Sequence, residues 1–266
     1  MNVPVLHPAY RNRKKAEPFD FMAYALSQIQ IYDPNGLELN TTNGFGMVDS
    51  NGKISGLYSI STASVQANDL VISGVTLQPD LQNNVFGTKK GMYFAGNQLM
   101  LKRSPSFTPD FSDKFFICGQ FKVTGNVWGK TILSVGNFNQ SVPGFLISFD
   151  ADGNIISLLK THNNATIVHR SAQALNDNNT HNFIFQWSGG VTADKMKLYI
   201  DGSEMNITST TSGSFVGSSF YDRDEDIFLR LGSRQNSNNK MIGHIGKIGL
   251  GLGTPIVSAI FNYLNS

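Results

Sequence analysis

Short apolar runs that alternate with polar residues dominate the chain from about residue 70 onward. Residues 115–123 place Phe115, Ile117, Phe121 and Val123 on one face of an extended segment, the two-residue period of a strand with one buried face. Similar runs lie at 71–72, 75–77, 92–94, 99–101, 131–135, 145–149, 155–159, 183–187, 196–200, 227–231 and 242–249. Turn residues separate them, among them Asp150-Ala151-Asp152-Gly153-Asn154 and Asp201-Gly202. Many short strands at this spacing predict an all-β fold, an antiparallel two-sheet β-sandwich, since each sheet must bury one face against the other. Thr254-Pro255 is expected to cap a short C-terminal helix with Ile256, Ile260, Phe261 and Leu264 turned inward.

The first 60 residues read differently. Residues 1–16 form an extended arm with Pro4 and Pro8 and the basic cluster Arg11, Arg13, Lys14 and Lys15. Glu17-Pro18 opens a short helix in which Phe19, Met22, Leu26 and Ile29 recur at helical spacing. Asp33-Pro34-Asn35-Gly36 is a turn, and residues 29–32 and 37–40 on either side of it could instead pair as a hairpin. Short runs at 45–48 and 54–60 follow. The expected division is a docking segment of arm and hairpins, 1–60, ahead of a sandwich, 61–266.

Composition narrows the function classes. Hydrophobic residues make up 40% of 266 and aromatics 11%, enough for a core, while charged residues are only 15%. A net charge of +2 without a concentrated basic face argues against nucleic acid as a partner. No apolar run approaches the roughly 18 residues that cross a bilayer, so no membrane partner is expected. Residues 1–15 lack the apolar segment and cleavage site of a secretory leader. Cys118 is the single cysteine, set in Phe115-Phe116-Ile117-Cys118, and reads as a buried thiol.

Several segments resemble the concanavalin A-like lectin/glucanase superfamily in its laminin G-like branch, as found in phage structural proteins. Lys195-Met196-Lys197-Leu198-Tyr199-Ile200-Asp201-Gly202 is similar to that family's "L-Y-V-D-G" hairpin, with Leu198 and Ile200 on one sheet surface and Tyr199 on the other. Gly91-Met92-Tyr93-Phe94-Ala95-Gly96-Asn97-Gln98-Leu99 resembles its opening strand pair, and Thr131-Ile132-Leu133-Ser134-Val135-Gly136 its "T-I-L-S-x-G" strand. Phe228-Leu229-Arg230-Leu231-Gly232 and Met241-Ile242-Gly243-His244-Ile245-Gly246-Lys247-Ile248 resemble "L-x-I-G" and "F-x-G-x-I-D-x-V". The resemblance spans roughly residues 68–266 and implies a jelly-roll sandwich. The chain departs from the pattern at Thr180-His181, where the family has Trp-His, and at Gly246, where it has Asp.

The chemistry of the family's glucanases needs two carboxylates across a cleft. The nearest pattern here, Asp222, Asp224 and Asp226, precedes a strand instead of lying in one, and its only Glu, Glu225, is out of phase. It reads as a solvated acidic loop or as a calcium site, the one cofactor the residues suggest. The five histidines show no metal spacing and no Gly-x-Ser-x-Gly elbow occurs, so no enzyme is expected. Trp128, in loop 125–129, is the candidate sugar platform, whereas Trp187 ends a strand and reads as core. Arg11, Arg13, Lys14 and Lys15 are a solvated tail or an anchor onto an acidic partner. The expected function is a virion structural or adhesion protein, a phage decoration, fibre or tail component, located in the virion. Its partners would be other virion proteins, copies of itself and a host-surface glycan. The alternatives are a carbohydrate-binding module of an extracellular or cell-surface adhesin and, behind it, a glucanase-like hydrolase.

Overall fold

A computed structural model describes residues 29–38, 41–43, 46–57, 70–71, 78–103, 107–137, 144–161, 164–214, 227–234 and 239–266. In chain order the strands begin β1 (Ile29–Tyr32), β2 (Thr41–Asn43), β3 (Gly46–Val48), β4 (Ile54–Leu57), β5 (Leu70–Val71), β6 (Asp80–Phe86) and β7 (Lys89–Ala95). They continue as β8 (Met100–Arg103), β9 (Phe115–Thr124), β10 (Thr131–Asn137), β11 (Phe145–Phe149), β12 (Asn154–Lys160) and β13 (Thr166–Ala174). The last are β14 (Asp177–Trp187), β15 (Met196–Ile200), β16 (Ser203–Glu204), β17 (Ile207–Ser212), β18 (Ile227–Leu231) and β19 (Ile242–Leu252), followed by helix α1 (Val257–Asn265). No helix among the described residues is long and apolar enough to cross a membrane.

The strands form two antiparallel sheets that stack as the expected sandwich. One sheet runs β16-β15-β14-β9-β19-β7-β6, with β1 also on β19; the other runs β17-β13-β12-β11-β10-β18-β8-β5-β4-β3-β2. Phe115, Ile117, Phe121, Phe183, Phe185 and Trp187 of the first sheet meet Leu133, Val135, Phe145, Ile147, Phe149 and Leu229 of the second in one core. The opposite face of β9 and β14 is covered by α1, whose Ile260, Phe261 and Leu264 pack on Phe116, Cys118 and Ile184. Cys118 is accordingly a buried free thiol, and burial pushes it up to about 12. Lys247 is buried beneath the same helix and donates to the Tyr263 carbonyl at 2.9 Å, where C-terminal carbonyls lack intrahelical donors.

Two close approaches explain glycines in β19. A Cβ on Gly251 would collide with the Phe116 ring, and one on Gly246 would meet Gln120 Oε1 at 2.8 Å and the Phe86 ring at 3.0 Å. A side chain at position 246 fits only if Gln120 and Phe86 shift.

The Asp201-Gly202 hairpin joins β15 to β16 as expected, with Leu198 and Ile200 in the main core and Tyr199 on the α1 side. Asp201 has φ of 50° and Gly202 of 90°, the left-handed pair such a turn requires. The Asp201 carboxylate accepts the Asn182 N–H at 2.8 Å and faces His181 Nδ1 at 2.7 Å. Asp177 faces His181 Nε2 at 3.0 Å. With carboxylates at both ring nitrogens, the doubly protonated imidazolium satisfies both. The Asp201 contact raises the His181 pKa against the opposing effect of burial, and Asp177 adds to the rise. Burial pushes the Asp177 carboxyl up, but the Asn179 and His181 contacts outweigh it and hold it down at about 2.

Several expectations need correction. Residues 29–32 pair with β19 and not with 37–40; Asp33-Pro34-Asn35-Gly36 is a 3-10 turn over Pro34–Gly36 capped by the Asp33 side chain. Of the anticipated helix only Ile29 lies among the described residues, and it opens β1. From Ile29 to Leu57 the described residues of the anticipated docking segment are strands of the two sheets and their connections. The 92–94 and 99–101 runs do not pair with each other, because β7 belongs to one sheet and β8 to the other. At the C-terminus Ile256, not Thr254, is the N-cap residue, and it is 44% exposed rather than turned inward. The run at 75–77 lies outside the described residues.

Candidate binding site

The β9–β10 connection carries Trp128, and backbone contacts hold it rigidly. Gly129 N–H donates to the Phe149 carbonyl at 2.8 Å, and Phe149 N–H donates back to the Lys130 carbonyl at 2.9 Å, tying the connection to the end of β11. Lys130 N–H closes a turn onto the Val127 carbonyl at 2.8 Å. Val127 is buried as the turn's apolar anchor. The Asn126 side chain accepts the Trp128 N–H at 3.0 Å, an Asx-type contact that fixes the residue ahead of the indole. Gly129 has φ of 66°, and a Cβ there would meet Asn239 Oδ1 at 3.0 Å, so the turn needs glycine on both counts.

The outcome is a fixed backbone bearing an indole that is 69% exposed. Trp187, by contrast, is fully buried, and its Nε1–H donates to the Phe111 carbonyl at 2.7 Å.

Polar groups from distant segments gather around this turn. Asn176 Nδ2 donates to the Gly125 carbonyl at 2.8 Å, and Asn239 lies against Gly129. The Asp150-to-Asn154 turn begins one residue after Phe149. There Asp150 Oδ1 accepts the N–H groups of Asp152 and Asn154, both at 2.9 Å, and Arg170 bridges Asp150 and Asp152. Burial alone would raise the Asp150 carboxyl, but Arg170, Asn154 and Asp152 together hold it below its ordinary value. An exposed aromatic face beside fixed amides and charges is the chemistry of sugar recognition. An indole so exposed can stack on the apolar C–H face of a sugar ring.

Of the residues singled out in the sequence, Trp128 stands in this site. Arg11, Arg13, Lys14 and Lys15, and likewise Asp222, Asp224 and Asp226, lie outside the described residues. Among the described residues no group of three or more His, Cys, Asp or Glu is placed to hold a metal ion. Asn176, Asn239 and Arg170 carry no local signal; the fold alone brings them to Trp128 or its neighbouring turn.

No protein-family model and no curated protein matches the chain. Solved structures do. Trypanosoma rangeli sialidase superposes with a TM-score of 0.53 at 10% identity, over 89% of this chain and 32% of that one. Domain 4 of AbnA, a GH43 extracellular arabinanase from Geobacillus stearothermophilus solved with arabinotriose, gives 0.46 at 16% identity, over 70% and 81%. The CBM40 of Ruminococcus gnavus IT-sialidase gives 0.39 at 13%, over 57% and 82%. This chain spans 32% of the length of the trypanosomal enzyme. The likeness to that enzyme concerns fold alone, and the fold it shares with this chain is an antiparallel β-sandwich.

Proposed function

We propose that this chain is a non-enzymatic, lectin-like adhesion module that contacts carbohydrate through Trp128. The observation that carries this reading is the 69% exposure of the indole on a turn pinned to β11 from both sides. A ligand covering about 70 Å² of that indole gains roughly 2 kcal/mol at ~25 cal/mol per Å², a factor of about 30 in affinity. One such contact with a few hydrogen bonds gives a monovalent Kd in the range of roughly 0.1–1 mM. Useful adhesion then requires many copies, because linked sites gain ~100-fold or more without new contacts.

That arithmetic favours display on a repetitive surface, and we assign the module to a virus particle. With strands from Ile29 onward built into the sheets, docking onto other virion proteins falls to the residues ahead of Ile29, with Arg11, Arg13, Lys14 and Lys15 meeting an acidic surface. Imaging of the native particle tests this. Particles that incorporate a chain lacking residues 1–28 at normal copy number would contradict it.

The glycan reading is tested on an array probed with the protein clustered on beads. The native protein should bind a defined set of glycans, release no hydrolysis product from them, and lose binding on Trp128→Ala with its melting temperature unchanged. Binding retained by the variant, or no bound glycan at all, would overturn the site. Product release would overturn the non-enzymatic reading.

A further inference from the structure

A second feature lies within a sheet face rather than on a turn. Leu229 and Leu231 of β18 point into the core between the sheets, so Phe228 and Arg230 project from the opposite face. Arg230 is only 1% exposed. Its guanidinium lies over the Phe228 ring, 4.8 Å from the centroid. That stacking occupies a π face and leaves the in-plane N–H donors to find acceptors. Nε and Nη1 are both buried, and among the described residues neither has a hydrogen-bond partner. Ser134 stands opposite Arg230 in register on β10, and its hydroxyl donates to the Ser233 carbonyl at 2.9 Å. Burial lowers the Arg230 pKa only to about 10, so the group keeps its charge at neutral pH.

A buried cation with unpaired donors is costly, and donors left so point to a further group that completes them, an ion among the candidates. We propose that Arg230 is a receptor for a small oxyanion, a carboxylate or inorganic phosphate, held by the Nε and Nη1 donors above Phe228. The charge calls for an anion rather than water, and because both donors are covered the surroundings must shift to admit one, which limits it to a single small group. The site is independent of the Trp128 reading: β18 carries it in the middle of a sheet face, whereas Trp128 sits on an end turn.

The test is thermal unfolding of the full chain at pH 7 in acetate, phosphate or chloride at matched ionic strength. Acetate or phosphate should raise the melting temperature saturably over chloride, by roughly 5 °C at a hundredfold excess over Kd. Which of the two acts at lower concentration identifies the source of the oxyanion. Arg230→Met should abolish the dependence, and Arg230→Lys should weaken the apparent affinity at least tenfold. In the native protein the Arg230 Nε–H resonance should shift with the same midpoint, a readout that needs no variant to fold. A native protein indifferent to the anion, an unmoved Nε–H resonance, or an Arg230→Met protein that responds like the native one would each overturn the proposal.

Discussion

Replacing Asp201 with Asn removes one charge from the His181 network and leaves the hairpin otherwise intact. Asn tolerates the left-handed φ of 50° at this position, and its amide oxygen can still accept the Asn182 N–H. What disappears is the carboxylate facing His181 Nδ1 at 2.7 Å. A hydrogen bond to a charged group contributes about 1.5–3 kcal/mol. The His181 side chain is 9% exposed but that of Asp201 is 46% exposed, so solvent screening reduces this to about 1–2 kcal/mol. In a domain of this size that is a fall of roughly 2–8 °C in melting temperature. The pH dependence is the sharper signature. The folded pKa of His181 is raised, chiefly by Asp201, so the pair's stabilisation is complete below the unfolded value near ~6.5. It is lost as pH rises through the folded pKa. The gap between native and variant proteins should therefore be widest near pH 5.5–6 and narrow toward pH 9, leaving the neutral hydrogen bond as a remainder. Calorimetry of both proteins across that range, with His181 followed by NMR, measures this. A gap that is flat or grows with pH would refute the assignment.

Three further outcomes follow from the packing. Gly246→Asp, which introduces the residue of the pattern this segment resembles, should destabilise by about 1–3 kcal/mol in urea unfolding, because Gln120 and Phe86 fill the space a Cβ needs. Phe261→Ala should cost up to about 3–5 kcal/mol and loosen α1, so Cys118 labelling by a thiol reagent should accelerate at least tenfold over the slow native rate. Trp128→Ala should leave urea stability within about 0.5 kcal/mol of native, as an exposed side chain on a backbone-held turn contributes little to folding.

The central strands were legible because each sheet face is apolar there. β9 alternates Phe115, Ile117, Phe121 and Val123 into the core, and β14 and β15 follow the same rule. Several strands gave no apolar pattern, β6, β17 and β13 the longest of them. β6 and β17 are sheet edges, and β17 is almost wholly exposed, so solubility rather than packing selects its Thr and Ser residues. β13 directs Ile167 inward but also His169 and Ser171, and this breaks the apolar alternation on its buried face. β1 was hidden for a different reason: Ile29 and Ile31 also suit a helix or a hairpin, and only pairing with distant β19 decides between them. Trp128 stood out as a large aromatic between turn glycines. Asn176, Asn239 and Arg170 did not, since they approach the site only once β13, β14 and β19 are in place. Arg230 occupied the variable position of its motif, where local pattern carries no information about a buried charge.

Acrylamide quenching of tryptophan fluorescence tests the binding site most directly, because the chain has two tryptophans and they differ completely in exposure. Trp128 at 69% exposure should be quenched freely and Trp187 scarcely at all. Adding a glycan that the protein binds should protect the Trp128 component, with a midpoint equal to the monovalent Kd. A glycan that binds saturably while Trp128 stays fully open to quencher would contradict the account.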